Sequence, residues 1–445
     1  MSIAAGAPQA AKLGRGTMLS YCLYAIPLTA TTAAITNFIP PYYSEVFGLP
    51  LATVGAGLLM IRIIDAVMDP LIGWAVDAAP FRQQHRPWLL IALPIYLASV
   101  GLLFFPPPGW VGQAYLVAVG GAAYVAFTLG VVAHQAWGAS LARDPPSLSR
   151  LFGYREVAVI VGILGVFGLA ALAESWDGAG VGAKAAAAGG FVLASVVLCS
   201  LATYVFTPDP PAMDVRSRGD LAAMRPFLLG GDFLKICLAT LAYNFSWVAY
   251  SVLGYFVAKH LFGAGDRFAL GLTLSFVIAP LGMAVWMRLA RKIGDQRTLI
   301  AACFYLAAVF AALPLLRGAP GGYFLFTGLL GIGFGAGPYL LRSLTGVLAN
   351  RFEAQAGVKV RGAAYAGANF FDKAGSGLGS VALLLVSTLG FRPELDQVAG
   401  PASQALLITA VAAPALGFLI AAAAVWRMQI APHGAAADKL ATATG

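Results

Sequence analysis

The stretch Arg62-Ile63-Ile64-Asp65-Ala66-Val67-Met68-Asp69-Pro70 sets two carboxylates four residues apart in an otherwise apolar run. On a helix that spacing stacks Asp65 and Asp69 on one face, one turn apart. An ionised carboxylate near the centre of a bilayer costs roughly 3 kcal/mol. A pair of them in a membrane span therefore needs a cation, a proton or a water-filled cavity.

Composition supports the membrane reading. The 445 residues are 60% hydrophobic and 11% charged, with a mean hydropathy of +0.81, whereas a soluble domain carries about 25% charged residues. Apolar runs of about 20 residues, the length that crosses a hydrocarbon core, recur along the whole chain. They are continuously apolar, which excludes the alternating strands of a membrane β-barrel. The chain thus reads as an all-α polytopic membrane protein. Twelve transmembrane helices are predicted, the first over about residues 17–46 and broken by Pro27 and Pro40-Pro41, the second over 52–76. The fifth is expected over 156–173, after a loop at 142–155, and the tenth over 323–349.

Residues 1–206 hold six of these spans and 227–445 six more with a short polar tail. Residues 207–226, rich in proline and arginine, read as the cytoplasmic linker between two six-helix halves. Arg288, Arg291, Lys292 and Arg297 occupy the loop that corresponds to Arg82 and Arg86 in the first half. The net charge of +9 therefore needs no nucleic-acid partner. Of the 28 Lys and Arg, roughly twenty fall on the side shared by both termini and about five opposite, so both ends are expected in the cytoplasm. Residues 1–16 carry Lys12 and Arg15 and show no cleavable signal. Cys22, Cys199, Cys237 and Cys303 sit in apolar segments without metal-ligand spacing and read as buried thiols. No nucleophile-base pair, metal cluster or phosphate loop suggests an enzyme. Two six-span halves are also the plan of the major facilitator superfamily, whose substrate sites lie between the halves near the midplane.

Three motifs carry a closer resemblance. Residues 62–70 with Leu71-Ile72-Gly73-Trp74 and Arg86-Pro87-Trp88, then Tyr42-Tyr43-Ser44-Glu45, then Arg361-Gly362-Ala363-Ala364-Tyr365 with Asn369-Phe370-Phe371-Asp372-Lys373-Ala374-Gly375-Ser376, resemble the glycoside-pentoside-hexuronide:cation symporters, the group of melibiose permease. The resemblance implies a cation-coupled symporter of a small polar solute, a glycoside or related sugar, working by alternating access. It implies a coupling site for Na⁺ or H⁺ at Asp65, Asp69 and Thr128, with Lys373 as a cavity residue that senses its charge. The other reading of the aspartates is a salt bridge to Arg62 or Lys373, and of Lys373 an ion pair with Asp372.

At the sugar-recognising positions the chain departs from the pattern. Thr29 and Val131 stand where sugar-transporting relatives carry acidic or amide groups, and Arg155 matches a basic substrate residue. The uncharged pair leaves open a lysolipid-like amphiphile as cargo. His134, Tyr243, Asn244 and Trp247 complete the expected cavity, although a lone His in a helix is more often a satisfied structural donor than a ligand or proton relay. Ala349 and Phe352 occupy the register of paired span-ten aspartates. A non-transporting membrane scaffold is the reading from another class, disfavoured by charges kept in lipid. The expected protein is a monomer in a bacterial inner membrane, with lipids and a small solute as partners and no cofactor beyond the coupling ion.

Overall fold

A computed structural model describes residues 14–79, 85–175, 180–210, 220–317, 319, 321–388 and 401–428, almost entirely as helix. Arg82, residues 211–219 of the linker and the tail beyond residue 428 lie outside the described residues. The first span is α1 (Arg15–Leu23) and α2 (Ala25–Pro41), extended by a wider π turn over Tyr42–Val46. Pro27 has no N–H to give the Leu23 carbonyl, and the helix breaks there. There follow α3 (Leu51–Ala78), α4 (Arg86–Phe104), α5 (Gln113–Leu141), α6 (Pro145–Ser175) and α7 (Val181–Phe206). After the linker come α8 (Leu221–Leu228), α9 (Gly231–Phe256), α10 (Phe268–Ile293), α11 (Asp295–Ala311) and α12 (Leu313–Leu316). The chain closes with α13 (Gly322–Gly333), α14 (Ala336–Ala356), α15 (Arg361–Thr388) and α16 (Pro401–Trp426).

Among the described residues, nine helical segments are long and apolar enough to cross a membrane. The other three expected spans are also helical: α3 and α15, which carry the buried charges, and α11 with α12. Large apolar side chains such as Leu198, Leu270, Leu281 and Ile408 are at least 60% exposed on the outside of the bundle. Only lipid makes such a surface tolerable.

Three expectations on boundaries are corrected. The loop expected at 142–155 is mostly helix, because α6 starts at Pro145, a residue suited to a first turn, and the Asp144 carboxylate accepts the Ser147 N–H at 2.9 Å. The linker contains α8, whose N-terminus is capped by Asp220 accepting from Ala222 and Ala223. The tenth span is split at Phe334-Gly335, where Gly335 adopts φ +80°, a conformation that glycine takes without strain.

Helices α1–α7 form one set and α9–α16 a second, and they meet along α3 against α15 and α6 against α10 and α14. At the seam Gly73 lies so close that an added Cβ would come within 2.4 Å of the Ala366 Cβ and 2.8 Å of the Gly362 carbonyl. The end of the bundle that holds the start of α1 and the end of α16, called the terminal face below, is tightly joined. There the Asp77 carboxylate accepts the Gly362 and Ala363 N–H groups at 2.8 and 2.7 Å, an anion at a helix N-terminus. Asn350 donates from Nδ2 to the Ala139 carbonyl at 2.9 Å. Glu353 accepts from Val360 and Arg361 N–H and pairs with the Arg361 guanidinium at 2.9 Å. Glu353 thus supplies the carboxylate that Ala349 and Phe352 lack. In the linker, Asp209 accepts the His85 and Arg86 N–H groups, both at 3.0 Å. Burial raises the Asp209 pKa above the usual carboxylate range, partly offset by these two bonds.

Candidate cation and solute site

Between the two helix sets lies a cavity of about 260 Å³, walled by α2, α3, α5, α6, α14 and α15. Asp65 and Asp69 project from α3 as their spacing requires, and both are fully buried. Lys373 enters from α15 across the seam. Its Nζ stands 2.7 Å from Asp65 Oδ1 and 2.8 Å from Asp69 Oδ2, with the Asp65 carbonyl at 3.4 Å. The Thr128 hydroxyl of α5 donates to Asp65 Oδ1. Two carboxylate oxygens, Asp65 Oδ2 and Asp69 Oδ1, remain buried without a hydrogen-bond partner. Two carboxylates around one ammonium leave the cluster formally one positive charge short of balance. Unfilled carboxylate oxygens beside a hydroxyl are the donor set that hard cations take, and they also accept a proton.

The remaining lining is polar. Thr29 and Val131 reach the cavity, the Thr29 hydroxyl donating to the Ala25 carbonyl at 3.1 Å. Asn369 donates to Gln135 Oε1 at 3.0 Å across the seam. Arg155 is buried, with Nε and Nη1 lacking hydrogen-bond partners, and its guanidinium is 3.8 Å from Glu156. Glu156 pairs more closely with Arg342 of α14, at 2.7 Å. Asp372 turns away from Lys373, since neighbours on a helix point about 100° apart, and accepts from Asn244 Nδ2. The ion pair expected as an alternative between Lys373 and Asp372 is therefore not formed. Arg62 does not meet the aspartates either: it donates to Thr36 at 3.2 Å and lies over the Tyr124 ring.

Of the expected cavity residues, His134 and Trp247 stand elsewhere, and Tyr243 lines a smaller pocket with Asn244, Arg342, Asn369 and Asp372. His134 is fully buried, stacked on Tyr21 with ring centroids 4.0 Å apart. Its Nε2 is 2.8 Å from the Tyr21 carbonyl, while the Tyr21 hydroxyl donates to the His134 carbonyl at 2.8 Å. This reciprocal pair pins α1 to α5. Tyr243 is buried, and its hydroxyl accepts the Gly337 N–H at 3.2 Å. Trp247 borders a separate apolar pocket with Tyr250, Phe276 and Phe334. Aromatic rings in a span pack against one another by default, and these do. Conversely, Glu156, Arg342 and Asp372, outside the expected set, line the cavity. Each carries the signal that marked Asp65, an ionisable side chain inside an apolar run.

Comparison with known proteins agrees with this geometry. The family described as MFS/sugar transport protein matches residues 20–431. The isoprimeverose transporter of Lactiplantibacillus pentosus is 24% identical over 440 residues, 91% of this chain and 87% of its own length. A putative glycoside/cation symporter of Escherichia coli (strain K12) is 32% identical over 142 residues, covering 30% of either chain, so that match is local. Among solved structures, the proton:xylose symporter XylE bound to 6-bromo-6-deoxy-D-glucose superposes with a TM-score of 0.67 over 93% of this chain and 95% of its own, at 14% identity. That likeness carries the fold. These relatives and neighbours are transporters, not enzymes. With the family match running over nearly the whole chain and the charged cluster seated between two helix sets, the chain belongs to the glycoside-pentoside-hexuronide:cation symporters of the major facilitator superfamily.

Proposed function

We propose that the protein is a symporter that moves a sugar or glycoside with Na⁺ or H⁺ by alternating access. The observation that carries the proposal is the Lys373 ammonium held between Asp65 and Asp69 at the wall of a polar cavity. In this reading Lys373 acts as an internal cation. A coupling ion enters through Asp65 Oδ2, Asp69 Oδ1 and Thr128 Oγ1 and weakens the hold of the carboxylates on Lys373. The link between α3 and α15 then depends on ion occupancy, which couples the ion to the relative position of the helix sets.

The two sets act as six-helix halves that rock about the cavity. The terminal face is cytoplasmic, in keeping with its excess of Lys and Arg. With that face joined across the two sets by Asp77 and Asn350, the conformation is the one closed to the cytoplasm. For the solute, Gln135, Asn369, Glu156, Asp372, Arg155 and Arg342 offer both donors and acceptors. The two acids provide the hydroxyl acceptors that Thr29 and Val131 cannot. A cavity of about 260 Å³ with this lining suits a small polyol better than a lipid tail, and the two named relatives are sugar or glycoside carriers.

Thermal-shift measurements on the purified chain against glycosides, uronides and lysophospholipids, each with Na⁺ or with choline at two pH values, test the reading. A sugar that raises the unfolding midpoint, with Na⁺ or lower pH enhancing the shift, is the expected result. Stabilisation by lysophospholipids alone would overturn it.

A further inference from the structure

A larger cavity, about 660 Å³, opens at the terminal face between α1, α6 and α10. It is separate from the solute site. On α6 it is lined by Arg150, Tyr154 and Val157, whereas Arg155, Glu156 and Val159 line the central cavity. At 100° per residue these two triplets occupy opposite faces of the helix. The rim is made of four arginines: Arg15 of α1 and Arg150 of α6 from the first set, Arg288 and Arg291 of α10 from the second. No acidic side chain lines the groove, and none of the four forms an ion pair among the described residues. Arg150 reaches only the Met18 sulfur, at 3.6 Å. The floor is apolar and adaptable, built from Met18, Val157, Met283 and Met287.

This arrangement is electrostatically incomplete. Closing the terminal face brings two cations of one helix set towards two of the other, and like charges at a low-dielectric boundary repel. An anion seated between them would turn that repulsion into a bridge. The Met-lined floor beside it accepts hydrocarbon, and the groove lies where the apolar exterior of the bundle meets its charged end. Basic pockets between membrane helices at such a boundary take phospholipid headgroups.

We propose that this groove binds one anionic phospholipid from the leaflet at the terminal face, its phosphate between the four guanidinium groups and its acyl chains along Met18, Met283 and Met287. The bound lipid favours the conformation closed at that face, because only there do Arg150 and Arg288 reach one headgroup. The proposal concerns a site that touches neither the coupling ion nor the solute.

The test uses the full chain released from bilayers of equal phosphatidylglycerol and phosphatidylcholine, with retained lipid read by native mass spectrometry. The wild type retains one phosphatidylglycerol in preference to phosphatidylcholine. The double variant Arg150→Gln/Arg288→Gln binds it about 25-fold more weakly, about fivefold for each arginine removed, while Arg317→Gln, outside the groove, leaves it unchanged. Equal retention of the two lipids by the wild type, or unchanged retention by the double variant, overturns the site. Spin labels at positions 143 and 292 supply the second readout. Phosphatidylglycerol should narrow and shorten their distance distribution in the wild type and not in the double variant. No lipid dependence in the wild type would overturn the conformational role.

Discussion

Replacing Lys373 with Met removes one charge from a cluster of three and keeps most of the side-chain volume. At an effective dielectric constant of 20, an ammonium 2.7 Å from one carboxylate and 2.8 Å from another gains about 6 kcal/mol from each. Desolvation of all three groups offsets most of that. The net cost of deleting one partner of a buried pair is about 3–5 kcal/mol, because the remaining charge is left uncompensated. Lys373→Met should therefore destabilise by roughly that amount in a cation-free buffer near neutral pH, as read by unfolding titrations in mixed micelles. Asp65→Asn should be mild, about 1 kcal/mol, since it leaves a one-to-one pair of Asp69 with Lys373. The double variant Asp65→Asn/Lys373→Met should be better than the sum of its parts by about 2 kcal/mol, because one unpaired acid takes up a proton more cheaply than two. Added Na⁺ or lower pH should recover part of the Lys373→Met loss and little of the Asp65→Asn loss. Strict additivity of the two substitutions, with no recovery by either cation, would refute the idea that Lys373 occupies the place of the coupling ion.

Other outcomes follow from neighbouring contacts. Asp77→Ala strips the acceptor from two N–H groups at the start of α15; at about 1.5–3 kcal/mol for each bond to a charged group, spin-label distances across the terminal face should shift to an open population, and an unchanged distribution would count against the latch. His134→Phe should lower stability by about 1–3 kcal/mol through the orphaned Tyr21 carbonyl and lost packing, yet leave the cation dependence of uptake intact; loss of pH-driven uptake in a folded variant would assign His134 a proton-carrying role instead. Glu156→Gln breaks the 2.7 Å pair with Arg342 and removes a charged hydroxyl acceptor, so the sugar Kd should rise at least about tenfold, which corresponds to 1.4 kcal/mol, with the Na⁺- or proton-induced thermal shift retained. Equal loss of both responses would place Glu156 in the ion site.

The parts of this account that were legible in the sequence are those where an energetic penalty is visible residue by residue. Asp65, Asp69 and Lys373 each violate the apolar composition of their spans, and no reading of lipid-embedded helices can ignore them. Glu156, Arg342 and Asp372 violate it too. Glu156 opens the expected fifth span, where a charge is cheap, and Asp372 stands beside a lysine that offers it a ready partner. Because α6 starts at Pro145, Glu156 lies well inside a helix. His134 and Tyr243 are polar groups whose roles the sequence leaves open. A polar ring in a helix looks like a ligand until its partner is known, and those partners, the Tyr21 carbonyl and the Gly337 N–H, lie 113 and 94 residues away. The split of the tenth span has a weak local sign in Gly333, Gly335 and Gly337. Its cause is tertiary, since Gly333 and Gly337 admit Leu306 and Tyr243 at distances that a Cβ would block. The capture of the α15 N-terminus by Asp77 is equally invisible, because a carboxylate at the end of a span reads as an ordinary loop charge.

The most direct test of the central claim is uptake into proteoliposomes by Asp69→Asn, measured in two modes with whichever sugar stabilises the wild type. The substitution leaves the polar cavity and the Asp65–Lys373 pair in place, so exchange of sugar across the membrane without an ion gradient should persist. Accumulation driven by an inward Na⁺ or proton gradient should vanish. Full gradient-driven accumulation by Asp69→Asn would contradict the assignment of the carboxylate pair as the coupling site.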